Sequence, residues 1–286
     1  VASLGLDEPP QTLRAEDITS APSAVELVVG DITDAKTCAQ AAIGADVIVH
    51  LAANTGVLPS IADPLSDCYT NVIGTLNMLE AAHKASARRF VFASSGAPIG
   101  EVTPPIHEEL PAHPCSPYGA SKLSGEGYCS AYWQAFGVET VALRFGNVYG
   151  PGSGHKSSVV AKLIRAAISN QVFEVYGDGS QTRDYIYVND LIDAIIQSSA
   201  VPGIGGQIFQ IATSRETTLL ELVDAISPIL SDADFEPLRV THSQRKKGDV
   251  QRNFSDTTKA AQQLGWRATT PLAEGLRRTV SSFQNL

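Results

Sequence analysis

The chain has 286 residues, 30 acidic against 21 basic, and a net charge of −9. That balance argues against a nucleic-acid or membrane surface, since such partners need clustered lysine and arginine to neutralise phosphates. With 43% hydrophobic and 18% charged residues, it can bury a large core, divided into two unequal lobes.

Residues 1–24 are polar and broken by Pro9-Pro10 and Pro22, which predicts a connector. Residues 25–29 (Val-Glu-Leu-Val-Val) read as a short strand, 30–34 as the turn after it, and Asp34 as the N-cap of a helix. Residues 45–53 form a second apolar strand, 63–87 a long helix with small residues on one side, and 89–94 a third strand. A helix over 117–136 and a strand over 139–144 follow. Strands alternating with helices of this length predict a parallel sheet covered on both faces, a doubly wound α/β domain. Beyond Gly150-Pro151 the elements shorten, with helices expected near 157–170, 188–200, 218–230 and 257–264. These describe a smaller lobe interleaved with the last strands of the sheet.

Cys38, Cys68, Cys115 and Cys129 show no Cys-x-x-Cys pair and no matching histidine spacing, so they read as reduced thiols. His107 and His113 flank Glu108 and Glu109, but Pro111 interrupts the helix that a His-Glu-x-x-His site needs, and no metal is expected. No apolar run reaches the ~18 residues of a membrane span and no secretory leader is recognisable. A cytoplasmic protein is expected. Arg245-Lys246-Lys247, the one basic cluster, fits either a solvated loop or an anion contact.

The chemistry concentrates at Tyr118-Gly-Ala-Ser-Lys122, downstream of a strand ending in Ser94-Ser95. Positions i and i+4 share a helix face, so the Tyr118 phenol and the Lys122 ammonium can share a pocket. A nearby cation favours the phenolate, which would then take a sugar or alcohol proton near neutral pH. The bland alternative is an amphipathic helix start that happens to carry both residues.

Several segments together resemble the extended short-chain dehydrogenase/reductases, and within them the nucleotide-sugar epimerases and dehydratases. They are His50-Leu-Ala-Ala53, Asn71-Val-Ile-Gly-Thr75 with Asn77, Ser94-Ser95, Tyr118 through Lys122, the run from Arg144 to Pro151, and Arg183-Asp-Tyr-Ile-Tyr-Val188. Gly248-Asp249-Val250 and Leu264-Gly265-Trp266 continue the match. The resemblance implies a Rossmann-like dinucleotide domain over 1–147 and 180–214, and a nucleotide-sugar lobe over 148–179 and 215–286. The family's opening strand and Gly-x-x-Gly-x-x-Gly turn, whose bare backbone holds the cofactor pyrophosphate, have no counterpart upstream of Val25. A chain lacking roughly the first 30 residues of that βαβ unit is therefore expected. The residue that separates NAD from NADP falls in the same gap, so NAD rests on resemblance.

By the same resemblance Tyr118 is the catalytic base, Lys122 lowers its pKa and holds the cofactor ribose, Ser95 hydrogen-bonds the reacting oxygen, and Asn71 orients the lysine side. Asp31, Ile32, Leu51, Ala52 and Ala53 stand where relatives line the cofactor. Asn147 and Arg183 match residues that hold a sugar-nucleotide diphosphate, a task suited to a bidentate guanidinium; Arg183 has the structural alternative of pairing with Asp184 or Asp190. Val175 and Tyr176 match the strand beside the base and ribose. Arg245 or Lys246, ahead of Asp249, supplies the second phosphate contact. Thr55, Gly56, Ser60, Ser94 and Lys156 are candidates for the sugar pocket.

Ser95 is followed by Gly96-Ala97, where dehydratases carry an acidic pair and decarboxylases of UDP-glucuronate a glutamate. The expectation is NAD-dependent epimerisation at C4 of a UDP-sugar, whether hexose, N-acetylhexosamine or hexuronate. The alternatives are a nucleotide-sugar dehydratase, decarboxylase or 4-ketoreductase, or a non-catalytic NAD-binding regulator or scaffold. A homodimer through helices 63–87 and 117–136 is implied as well.

Overall fold

The computed structural model describes residues 26–245 and 250–284. The chain forms two compact units, each assembled from three separate stretches. The first holds the described residues within 26–100, 111–144 and 198–209, and the second those within 101–110, 145–197 and 210–284.

The first unit opens with α1 (Ala35–Ala41), capped by Asp34, whose carboxylate accepts from Lys36 N at 3.0 Å. Strand β1 (Val47–His50) and strand β2 (Arg89–Ser95) pair in parallel, Val47 opposite Arg89 and His50 opposite Phe92. Between them run α2 (Val57–Ala62), α3 (Pro64–Cys68), a π-helical segment Tyr69–Ile73, and α4 (Gly74–Lys84). Helix α5 (Pro117–Phe136) is framed by its sequence: Ser116 Oγ accepts from Gly119 N at 3.1 Å, Pro117 occupies the first turn, and Gly137 closes the end at φ 71. Proline is preorganised at a first turn and glycine alone adopts the left-handed closing geometry without strain. Strand β3 (Glu139–Phe145) follows, and the sheet order is β1-β2-β3-β8, with β8 at Gln207–Ile211.

Ile48, Leu79, Phe90, Phe92, Cys129, Tyr132 and Ala142 form the core of this unit. Gly125 lets α5 lie against β2, for a Cβ there would stand 2.4 Å from Phe92 Cζ. Arg89 is fully buried at the start of β2, and its guanidinium donates to the carbonyls of Ser198 and Val201 at 2.8 Å and to Glu139 at 2.6 Å. A charge so deep is tolerated only when paired and hydrogen-bonded.

The second unit contains β4 (Asn147–Tyr149), α6 (Val159–Ile168), β5 (Val172–Tyr176), β6 (Thr182–Arg183) and β7 (Tyr185–Tyr187), then most of α7 (Val188–Ala200). After these come β9 (Thr217–Thr218), α8 (Leu219–Asp232), β10 (Arg239–Ser243), α9 (Thr258–Gln263) and α10 (Leu272–Phe283). Strands β4 and β7 pair in parallel, as do β5 and β10, while β6 and β9 are antiparallel. Leu163, Ile164, Val175, Leu222, Ile226, Leu276 and Val280 make its core. Helix α8 starts in a reciprocal capping box between Thr218 and Glu221. The buried Asp190 accepts from Thr269 N and Thr270 N at 3.2 and 3.0 Å, anchoring the run before α10.

Two sequence expectations change. Residues 26–30 carry no strand, and Leu27, Val28 and Val29 are 52, 54 and 77% exposed; Val25 lies outside the described residues. A strand draws its backbone bonds from a neighbour, and no described strand pairs with this stretch. The single helix expected over 63–87 is divided by the π-helical turn at Tyr69–Ile73, an irregularity that recurs at functional positions.

Candidate functional site

Strand alternation separates the two serines ending β2. Ser94 is 3% exposed and donates to Glu126 Oε1 at 2.6 Å, and Glu126 is clasped by Arg144 at 2.7 and 2.8 Å. Its expected place in a sugar pocket is therefore corrected: its hydroxyl is taken up inside the first unit. Ser95 is half-buried, accepts from Ala97 N at 3.2 Å, and lies near enough to Tyr118 on α5 for its hydroxyl to favour the phenolate.

Lys122, one turn beyond Tyr118, is 4% exposed; its Nζ donates to Ala93 O at 2.8 Å and stands 4.9 Å from the Phe92 ring centroid and 6.0 Å from that of Tyr118. Burial pulls the ammonium down to about 8, opposed first by the charge of Asp67. The phenol of Tyr118 is raised, not lowered as expected from its cation: burial dominates, the Ser95 hydroxyl works the other way, and Asp67 adds to the rise. The sequence shows the cation and hides the desolvation.

Asn71 sits within the π-helical segment and is buried. Its Oδ1 accepts from Asn54 N at 2.8 Å, while Nδ2 serves Asn54 O and Asp67 Oδ1 at 3.0 Å and Ser121 Oγ at 3.2 Å. Asn71 thus reaches α5 through Ser121 instead of the lysine. His50 is held neutral, its pKa pulled to about 3 by burial and then by Lys122. Thr75 gives its hydroxyl proton to Asn71 O at 2.6 Å, so the 3.1 Å contact from His50 Nε2 is a donated one.

Of the residues matched to the cofactor, Leu51 is 55% exposed just beyond β1, with Ala52 and Ala53 half-buried beside it. An open apolar ledge at the carboxyl end of a parallel strand suits a dinucleotide. Asp31 turns its Oδ1 to Thr33 N and Oγ1, both at 2.8 Å, and Ile32 packs into the core, its carbonyl accepting from Asn77 Nδ2 at 2.9 Å. Thr55 is exposed beyond β1, whereas Ser60 is buried and donates to Val57 O at 2.7 Å.

The second unit has its own cavity of about 470 Å³, lined by Asn147, Ser158, Gln181, Arg183, Tyr185 and Leu219 among others. Arg183 NH1 donates to Thr182 O and Val250 O at 2.7 Å. The alternative partners named from sequence are engaged elsewhere, Asp184 by Thr213 N at 2.8 Å and Asp190 by the run before α10. Val175 points into the core, Tyr176 is half-buried, and Lys156 and Arg245 are exposed outside that lining. Lys246 and Asp249 lie outside the described residues.

Sequence reasoning missed Asn54, Asp67, Ser121, Ser158 and Gln181. Two were within reach: Asp67 precedes Asn71 by one helical turn, and Ser121 lies inside the Tyr-Lys motif. Among the described residues no group of His, Cys, Asp and Glu is arranged to hold a metal, and no helix is long and apolar enough to cross a membrane.

The chain is similar to known nucleotide-sugar epimerases and dehydratases. Across 282 residues the chain is 37% identical to the UDP-glucose 4-epimerase of Mycolicibacterium smegmatis, covering 95% of this chain and 88% of that protein. The crystal structure of UDP-glucose 4-epimerase from Thermotoga maritima with UDP-glucose superposes with a TM-score of 0.82 at 33% identity, over 90% of this chain and 83% of that one. The Thermus thermophilus UDP-glucose 4-epimerase complex with NAD gives 0.84 at 31% identity, over 95 and 88%. Residues 4–212 match the model of the NAD dependent epimerase/dehydratase family. With its parallel α/β sheet and its Ser-Tyr-Lys arrangement on β2 and α5, the chain belongs to that family.

Proposed function

We propose that this protein interconverts the C4 epimers of a UDP-sugar through a transient 4-keto sugar. The observation that carries the reading is the convergence of Ser95, Tyr118 and Lys122 in the first unit, the serine near enough to act on the phenol and the ammonium 6.0 Å from the phenol ring. Tyr118 takes the proton of the C4 hydroxyl, and Ser95 holds the same oxygen as it passes between alcohol and ketone, since a hydroxyl both donates and accepts. Lys122 offers donors only and supplies positive charge beside the developing oxyanion.

Bound NAD would supply the hydride acceptor, and then the hydride donor, for C4. Leu51, Ala52 and Ala53 on the open ledge, with Asp31 and Ile32 before α1, are the residues we assign to hold it, together with Lys122. Similar proteins, MoeE5 and the Thermus thermophilus UDP-glucose 4-epimerase, were solved with NAD. The cavity of the second unit, with Asn147, Gln181 and Arg183, suits the nucleotide diphosphate. Lys246 and Asp249 are assigned to the same ligand by resemblance.

The run after Ser95, from Gly96 to Gly100, contains no carboxylate, which supports epimerisation over elimination of water. Exposed Tyr69, Ile73, Tyr128 and Phe136 lie on the helices we assign to a homodimer interface, and light scattering at micromolar concentration should give twice the chain mass. The four free cysteines fit a reducing compartment such as the cytoplasm.

The reaction is tested by incubating the protein with UDP-glucose, UDP-N-acetylglucosamine and UDP-glucuronate, with and without NAD, and following the sugar H4 and H6 signals by proton NMR. Appearance of the galacto epimer without net NADH is expected. Loss of H6 or of the carboxylate, steady NADH change, or no turnover would overturn the reading in favour of a dehydratase, a decarboxylase, an oxidoreductase or a non-catalytic binder respectively.

A further inference from the structure

Asp67 is an oddity inside the first unit. It lies on α3 with 3% of its surface exposed; Oδ1 accepts from Asn71 Nδ2 at 3.0 Å, while Oδ2 is buried and receives no hydrogen bond. Buried carboxylate oxygens are normally satisfied, and an exception calls for an explanation.

The surroundings of Lys122 provide one. The titratable groups around it are Asp67 from α3, Tyr118, Glu126 and Cys129 from α5, and His50 from β1. Glu126 already has a partner, for Arg144 clasps it with two bonds and Ser94 adds a third. Burial pushes the Cys129 thiol well up, and His50 is held neutral. Among these groups Asp67 is the carboxylate with no cation clasped to it.

Resting on the role given to Lys122 above, we propose that Asp67 is a positioning residue of the site. Its carboxylate is the counter-ion that keeps Lys122 an ammonium inside the first unit, and its bond to Asn71 steadies, through Ser121, the turn of α5 that carries Tyr118 and Lys122. The relay is continuous: Asn71 Nδ2 bonds both Asp67 Oδ1 and Ser121 Oγ, and Ser121 Oγ donates to the Tyr118 carbonyl at 3.0 Å. Charges that do not touch still couple in a low-dielectric interior. The influence is mutual, each charged form favouring the other, against burial that disfavours both.

The test is Asp67→Asn, in which the side-chain oxygen still accepts from Asn71 and only the charge is lost. With 13C,15N-lysine-labelled protein, the Lys122 Nζ and Cε signals, assigned by their absence from Lys122→Arg, are followed against pH. The Lys122 midpoint should fall by about one pH unit, a tenfold loss of proton affinity, and the alkaline limb of kcat should move down with it. A role confined to packing would lower stability and leave the midpoint in place.

If Asp67→Asn does not fold, the Asp67 carboxyl carbon is followed in the parent protein: it should be ionised at neutral pH and show a second, smaller step as Lys122 loses its proton. A protonated Asp67 at neutral pH would overturn the proposal, as would an unmoved Lys122 midpoint in folded Asp67→Asn. A parent protein that turns over no UDP-sugar, with a midpoint that still moves, would overturn the proposed reaction and leave the Asp67–Lys122 coupling standing.

Discussion

Lys122 is carried into the interior at an energetic cost that its pKa exposes. Its folded value is about 8 against an ordinary 10.5, so between those pH values the unfolded chain binds more protons and stability rises with pH. At neutral pH the buried charge therefore costs about 3 kcal/mol. Lys122→Met should be inactive yet more stable than the parent by roughly 1–3 kcal/mol at pH 7, with the advantage fading towards pH 10.5; urea midpoints at several pH values measure it. Tyr118→Phe should keep the fold and lose at least ~10²-fold in turnover, the usual scale for removing a general base. Activity equal to the parent on every candidate sugar would remove Tyr118 from the mechanism. In the parent the raised phenol must lose a proton that Lys122 must keep, so the rate should decline above about pH 8, where the ammonium titrates.

Helix α5 delivers both residues, and its seating depends on Gly125 over Phe92. Gly125→Val would force the helix off β2; overpacking of this kind destabilises by roughly 1–3 kcal/mol, and kcat should fall with the displacement of the Tyr118 turn. A melting temperature equal to the parent's would show that the contact gives way locally. This helix was legible in the sequence, because Ser116, Pro117 and Gly137 mark its ends by local chemistry. Asp34 announced its helix in the same way. The π-helical turn was not legible: its register is set by what Asn71 meets, namely Asn54, Asp67 and Ser121, up to 50 positions away. Nor was β10, which pairs with β5 across more than sixty residues and has mostly exposed side chains that break the alternation of a half-buried strand. The Tyr-Lys pair itself was readable as a motif, but its electrostatics depend on burial, which no spacing encodes.

The molecule as a whole should respond to acid through two coincident changes. Its net charge of −9 falls to zero near pH 5.1, where mutual repulsion between copies is weakest. His50 has a folded pKa of about 3 against 6.5, so below pH 6.5 the unfolded chain takes up a proton that the folded one refuses. Stability is thus lost as pH falls from 6.5 towards 3, by about 5 kcal/mol from this residue over the full range. His50→Gln, which can still donate to Thr75, should flatten that slope in urea titrations at pH 7, 5 and 4; an unchanged slope would assign acid sensitivity to the carboxylates instead.

The threading of the chain through its two units also sets a timetable for synthesis. The acceptors of Arg89 are Ser198 and Val201, and the sheet of the first unit is completed by β8 from Gln207. A ribosome that has just made Arg144 must still add the stretch up to Phe209 before these partners exist, on the order of 3–13 s at ordinary elongation rates. Through that interval the nascent polypeptide holds a guanidinium destined for the interior with two of its acceptors untranslated, so this unit matures after the ribosome has passed well into the coding region of the other.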